Sequence, residues 1–228
     1  MRLTIIIFLS FFSTEIFAQM NGFVYPNIPT KGTKLEDFVP KDWSILKTVT
    51  CDFNSDGTLD NAMVIKHTVP IDSSNFSPKM LLVVFQGHDK VFELNLSTFK
   101  FFGEGLWGVQ GSEPFSNLEL DKKSLKTTFW TGGSSVVKME YSFQFIEKEW
   151  LLTKYMSTFY EHSSKNLWVD DVDFIEQVEY TYTKKNGKKI IDKKFGNFNF
   201  FLKNNNIPNA SNKLSDINIE TFIDPFKG

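Results

Sequence analysis

The sequence predicts a mainly β protein, an antiparallel meander of hairpins closing into a sandwich or a partial propeller-like unit, with at most one short C-terminal helix. Three observations predict it. Short runs rich in β-branched and aromatic residues recur along the chain with turn residues between them, Tyr141-Ser142-Phe143-Gln144-Phe145 alternates with period two, and no comparable stretch repeats with helical period. Phenylalanine dominates the aromatic residues, 25 against 5 Trp and 6 Tyr. Phe lacks the polar handle of the other two, so these rings are read chiefly as core.

The N-terminus begins Met1-Arg2, runs apolar from Leu3 to Phe12, and passes through Ser13, Thr14 and Glu15 to Ile16-Phe17-Ala18-Gln19. A basic start, a short apolar run and a small residue before the cut predict a signal peptide, residues 1–19, cleaved after Ala18 or Gln19. The run is too short for a membrane anchor, so the expectation is an exported chain, periplasmic or extracellular, with no membrane span after cleavage. Residues 20–228 are read as one β-rich domain, within the size range of a single hydrophobic core.

Export favours disulfides, yet Cys51 is the sole cysteine and cannot bridge internally. It ends an apolar run, where a small buried hydrophobe is expected. Net charge is −2 and the basic residues are dispersed. The electrostatic footprint of a nucleic-acid protein is therefore missing.

Residues 20–42 hold three prolines and are read as an irregular lead-in. Strands are then predicted at Trp43 to Asp52, Asn61 to Thr68, Lys79 to Gln86, Lys90 to Leu96, Leu118 to Leu120, Ser124 to Trp130, Ser135 to Phe145, Trp150 to Phe159, Phe174 to Thr183 and Lys188 to Lys194. Turns are expected at Asp121-Lys122, Thr131-Gly132-Gly133 and Asn186-Gly187, the last being the strongest hairpin signal. Residues 203–228 are read as an Asn-rich loop followed by a short helix, Asp216 to Phe222, capped by Ser215 and stopped at Asp224-Pro225.

The most specific chemistry lies in Asp52-Phe53-Asn54-Ser55-Asp56-Gly57-Thr58-Leu59-Asp60. The pattern D-x-N-x-D-G-x-x-D sets oxygen-bearing side chains at positions one, three, five and nine around a glycine. Calcium takes six to eight hard oxygen ligands, and alternate positions of a tight loop converge when glycine supplies a positive φ. Asp52, Asn54, Asp56 and Asp60 would offer side chains, with the Thr58 carbonyl and water completing the shell. Position twelve is Met63 rather than the bidentate Glu of an EF-hand, and apolar strands flank the loop. A metal-free Asx-rich turn is the alternative, since Asn, Asp and Gly build such turns unaided.

From Val39-Pro40-Lys41-Asp42-Trp43 through Cys51 and the loop to Asn61-Ala62-Met63-Val64-Ile65, the chain resembles one copy of the FG-GAP or VCBS type of repeat. The resemblance implies a blade-like β unit that binds calcium in its loop. Gly111 to Phe115, Trp130 to Ser135 and Tyr141 to Phe145 resemble the layout of small exported bacterial proteins that carry one such repeat. No second D-x-N-x-D-G-x-x-D occurs, so one blade-like unit inside a larger β fold is expected rather than a ring.

Other groups point less clearly to chemistry. Ser134 and Ser135 follow two glycines without a G-x-S-x-G elbow, and His67, His88 and His162 show no zinc spacing. They are read as a hairpin turn and as surface or edge-strand residues. Asp170, Asp171 and Asp173 follow Trp168, and Glu147 and Glu149 flank Lys148; these sets fit solvated turns or the carboxylates of a glycosidase. Trp107, Trp130 and Trp168 fit a buried core or a sugar-stacking face. The function expected is an exported calcium-binding β module with a binding or structural role and no catalysis, its partner a protein or a glycan. The alternatives are a carbohydrate-binding module or carbohydrate-active hydrolase, and an envelope protein-interaction module.

Overall fold

The computed structural model describes residues 23–70, 77–102, 115–176 and 178–185, and the backbone of residues 188–195. The signal peptide, Trp107, Gly111 to Pro114, the Asn186-Gly187 turn and the C-terminal loop and helix lie outside the described residues. The fold is mainly β, as the sequence predicts, and is built from two antiparallel sheets in a form consistent with a sandwich.

The smaller sheet holds β1 (Lys31–Gly32), β2 (Trp43–Cys51), β3 (Asp60–His67), β4 (Lys79–Gln86) and β5 (Phe92–Thr98), in the order β1-β5-β4-β3-β2. The larger holds β6 (Phe115–Asp121), β7 (Ser124–Gly132), β8 (Ser135–Ile146), β9 (Glu149–Glu161), β10 (Asn166–Asp173), β11 (Val178–Lys185) and β12 (Lys188–Phe195), each paired with its sequence neighbour. Beyond β1 and β5, which pair with each other, every ladder joins consecutive strands, so the chain is the predicted meander.

Strands β3 and β4 are apolar without alternation because both of their faces are covered. Ala62, Val64, Leu81 and Val83 point toward the larger sheet and join Leu125, Phe129, Tyr141, Phe143 and Leu152 in one core. Met63, Ile65, Met80, Leu82 and Val84 point the other way, into a second core with Tyr25, Phe38, Trp43 and Phe92. The lead-in segment makes this second core. Its backbone is irregular, as expected, apart from β1 and a 3-10 turn, Leu35–Phe38, yet Phe38 is completely buried and Tyr25 stacks on Phe99 with ring centroids 4.0 Å apart. A Cβ on Gly32 would stand 2.8 Å from the Phe38 ring, so this position admits no larger residue without displacing that ring.

The strand assignments differ from the sequence reading at β6, β10, β11 and β5; β6 begins at Phe115, ahead of the expected Leu118. A strand covers Asn166–Asp173 where a solvated turn was expected, because acids fall on both faces of β10 and mask its alternation. The strand expected from Phe174 begins at Val178, since the amides of Ile175 and Glu176 both donate to Asp173 Oδ1 at 2.9 Å and fold a turn there. Strand β5 lies two residues later than expected, because Gly87 and Lys90 close a turn first. On either side of Asn186-Gly187, Lys185 pairs with Lys188.

Replacing Phe38 with Ala removes a fully buried ring from the second core. Urea unfolding is expected to show a loss of about 3–5 kcal/mol, the usual range for a buried Phe→Ala change; a loss under about 1 kcal/mol would mean that the lead-in segment does not hold the outer face of the smaller sheet.

Candidate metal loop

The loop between β2 and β3 leaves the sheet at Cys51 and returns at Asp60, which are register partners. Gly57 has φ +87 with open space around its Cβ position, so conformation and not crowding selects glycine there. Ser55 also has positive φ. These two residues turn the chain so that its amides point inward at the acidic side chains. The Asp56 amide donates to Asp52 Oδ1 and Asn54 Oδ1, each at 3.1 Å, and the Gly57 amide donates to Asp52 Oδ2 at 3.2 Å. Thr58 donates its amide to Asp56 Oδ1 at 2.7 Å, and Asn54 Nδ2 donates to Asp56 Oδ2 at 2.8 Å. The Thr58 amide, then the Asn54 side chain, hold the Asp56 carboxyl below its usual range.

Asp60 stands apart from this ring. It is fully buried, and its two oxygens accept the amides of Phe53 at 3.0 Å and Gln86 at 3.1 Å. It thereby ties the loop's entrance to β4. Burial raises its carboxyl above the usual aspartate range, against the pull of the Gln86, Phe53 and Asn54 amides. The charged form is thus disfavoured in the fold relative to the unfolded chain. This group favours folding below its unfolded-state pKa and withdraws that contribution as pH rises toward the folded value.

Two further contacts seat the loop. Phe53 is buried between the sheets with its ring centroid 5.1 Å from that of Trp150, whose Nε1 donates to Asn95 Oδ1 at 2.8 Å. Lys123 Nζ, on the turn between β6 and β7, donates to Ser55 Oγ at 2.9 Å. Sequence reasoning missed Phe53, Trp150 and Lys123; the apolar residue at the second loop position was the available signal.

Calcium is tested here on the chemistry of the donors. Asp52 and Asn54 present hard oxygens on the Asp56 and Gly57 amides, Asp56 presents its carboxylate on the Thr58 amide and Asn54 Nδ2, and an oxygen that accepts one N–H keeps a second lone pair for a cation. These three side chains fit, and the Thr58 carbonyl belongs to the same turn. Asp60, with both oxygens on amides, fits better as the anchor. As the side chains are placed, no three His, Cys, Asp or Glu residues are gathered for a metal among the described residues. An ion in the loop therefore depends on the Asn54 amide oxygen and backbone carbonyls as well as carboxylates.

The remaining candidates are dispersed. Glu147 and Lys148 both have positive φ in the two-residue turn between Ile146 and Glu149, so this acidic set is a hairpin turn. Asp171 pairs with Lys154 at 3.2 Å, and Asp173 caps the turn after β10. Ser134 and Ser135 lie at the turn from β7 to β8, where Gly133 donates its amide to the Ser135 carbonyl. His67 ends β3 against Phe23 and Trp43, His88 sits on the turn before β5, and His162 lies beside Tyr160. Cys51 is half-buried and packs on the main core. Trp130 and Trp168 are not core residues; they are 48% and 36% exposed, and strand register sets them on opposite faces of the larger sheet. They form no common stacking surface. No helix among the described residues is long and apolar enough to cross a membrane. No protein-family model matches the chain, and neither a curated protein nor a solved structure matches it.

Replacing Asp60 with Ala strands two amides at a fully buried position. Urea unfolding in chelator is expected to show a loss of about 2–4 kcal/mol. A change under about 0.5 kcal/mol would show that Asp60 does not fix the loop.

Proposed function

We propose that this chain is an exported β module whose loop between β2 and β3 takes up calcium, and that it works by binding rather than by catalysis. The observation that carries this reading is the gathering of the Asp52 and Asn54 oxygens on the Asp56 and Gly57 amides, with the Asp56 carboxylate tied to Asn54 Nδ2 and the Thr58 amide, at a glycine turned to φ +87. Asp52, Asn54 and Asp56 would hold the ion by their side chains and Thr58 by its carbonyl, with Asp60 fixing the loop end behind them. The ion's contribution is charge neutralisation and cross-linking of a loop that otherwise packs carboxylates together. Export rests on the predicted signal peptide, and kinship with FG-GAP or VCBS repeats rests on the loop and the strands flanking it.

The loop is well placed to make calcium a stabiliser. Phe53 reaches the inter-sheet core, Asp60 reaches β4, and Ser55 is held by Lys123 from the larger sheet. Ordering the loop therefore acts on both sheets. Dispersal of the other acidic and histidine residues favours a binding role over hydrolysis.

Calorimetric titration of the chain freed of its leader is expected to show one calcium site of micromolar to millimolar affinity. With calcium at about 100 times Kd, the fold gains about 2.7 kcal/mol over its state in chelator. In the double variant Asp52→Asn, Asp56→Asn this calcium-dependent gain disappears while the melting temperature in chelator stays close to that of the parent. No binding heat, or equal loss of stability with and without calcium, would reduce the loop to an Asx-rich turn.

A further inference from the structure

The two faces of the larger sheet are covered unequally. Its inward face meets the smaller sheet, and Val137, Met139, Tyr141 and Val172 lie in the main core. On the outward face, register sets Val136 beside Tyr160 and Tyr160 beside Leu167. The next row runs Lys138, Thr158, Val169 and Tyr182, and the one after it Glu140, Met156, Asp171 and Tyr180. None of these residues belongs to either core, yet Val169 is only 3% exposed and Tyr160, Leu167, Tyr180 and Tyr182 are half-buried.

The outward face divides by chemistry. Toward the turn between β8 and β9 it carries ion pairs, Lys126 with Glu119 and Glu140, and Lys154 with Asp171. Toward the turn between β9 and β10 it is apolar and aromatic, through Val136, Tyr160, Leu167, Val169 and Tyr182. An antiparallel sheet face left to water is polar in alternation with its core face. A contiguous apolar stretch marks a contact instead.

Chain connectivity selects the occupant. Residues 71–76 join β3 to β4 of the smaller sheet, and residues 103–114 are tethered at both ends near the start of β6, where the ring centroids of Phe102 and Phe115 are 5.4 Å apart. Residues 196–228 follow β12, the outermost strand beside β11. Lys194 pairs with Tyr180 and Phe195 with Glu179, so the chain leaves the sheet next to the row that holds Tyr180. Strands stand about 4.8 Å apart and an extended chain rises about 3.3 Å per residue, so roughly six residues reach from β12 to β8. The segment opens with Phe198-Asn199-Phe200-Phe201-Leu202 and later brings Ile217, Ile219, Phe222 and Ile223. Such side chains are driven out of water. The inward face beyond the core offers them Asp170, Thr181 and Glu179, which leaves the outward face as the apolar match.

We propose that residues 196–228 fold back across the outward face of the larger sheet and cover its apolar half, with the run from Phe198 to Leu202 against Tyr160, Leu167 and Val169. This cover adds a layer on the side that the smaller sheet does not reach, and it ties down the edge strand β12 by its own continuation. It stops short of Trp130, which is 48% exposed on β7. In the intact chain the apolar half is thereby closed to a glycan or a partner protein, and binding falls to other surfaces.

The test replaces Tyr160 with the photo-cross-linking residue p-benzoylphenylalanine in the full chain freed of its leader and maps the products by mass spectrometry. A mixture of isotopically light and heavy chains separates links within one chain from links between copies. The main product is expected to join position 160 to a peptide from residues 196–228 of the same chain, with calcium or chelator alike. The same probe in place of Ile45, on the smaller sheet, is expected to give no such product. Phe200→Asp with Phe201→Asp lowers the yield from position 160 several-fold, whereas Asn204→Asp with Asn205→Asp leaves it unchanged. The first result is read in a chain whose residues 196–228 are intact, so it stands whether or not the Phe variant folds. A main product with residues 71–76, with residues 103–114 or with a second copy, or the absence of any product with residues 196–228, would overturn the proposal. So would full yield in a folded Phe200→Asp, Phe201→Asp variant.

Discussion

The double burial of β3 and β4 is the constraint on which the rest of the structure depends. Two strands apolar on both faces cannot stand at the surface, so one face needs the larger sheet and the other needs the lead-in segment with Tyr25 and Phe38. Once both covers are in place, the positions of the connecting loops follow. The loop entering β3 is held where the two sheets meet, because Phe53 fills the core beside Trp150 and Asp60 is drawn under the amides of Phe53 and Gln86. A surface loop thereby acquires a buried root.

That root separates two jobs that one acidic motif performs. Asp52, Asn54 and Asp56 are exposed or half-buried and organise the turn through its own amides. Asp60 faces the interior and spends its oxygens on the framework. A buried carboxylate with only amide donors is electrostatically costly, and its raised pKa records that cost. Cationic charge taken up in the neighbouring turn would relieve it. The calcium reading thus rests on the framework as much as on the ligand spacing.

Much of the fold was legible in the sequence, because β3 and β4 have strong apolar runs bounded by turn residues. The loop itself was legible from the spacing of its acids around Gly57, which takes the positive φ that such a turn requires. Strand β10 was not, because Asp170 points inward while Asp171 and Asp173 point outward, so hydrophobic alternation fails where both faces carry acid. The division between Asp60 and the other loop acids was also hidden. It depends on the Gln86 amide, 26 residues away in sequence and adjacent only through the pairing of β3 with β4. The opposite facing of Trp130 and Trp168 likewise required the register of β7 to β10.

The most direct test of the loop's role is a crystal structure grown in calcium, with anomalous scattering used to locate the ion. The reading predicts one calcium held by oxygens of Asp52, Asn54, Asp56 and Thr58, with Asp60 still accepting the amides of Phe53 and Gln86. A loop that stays free of metal at saturating calcium, or an ion that draws Asp60 off those amides, would contradict it.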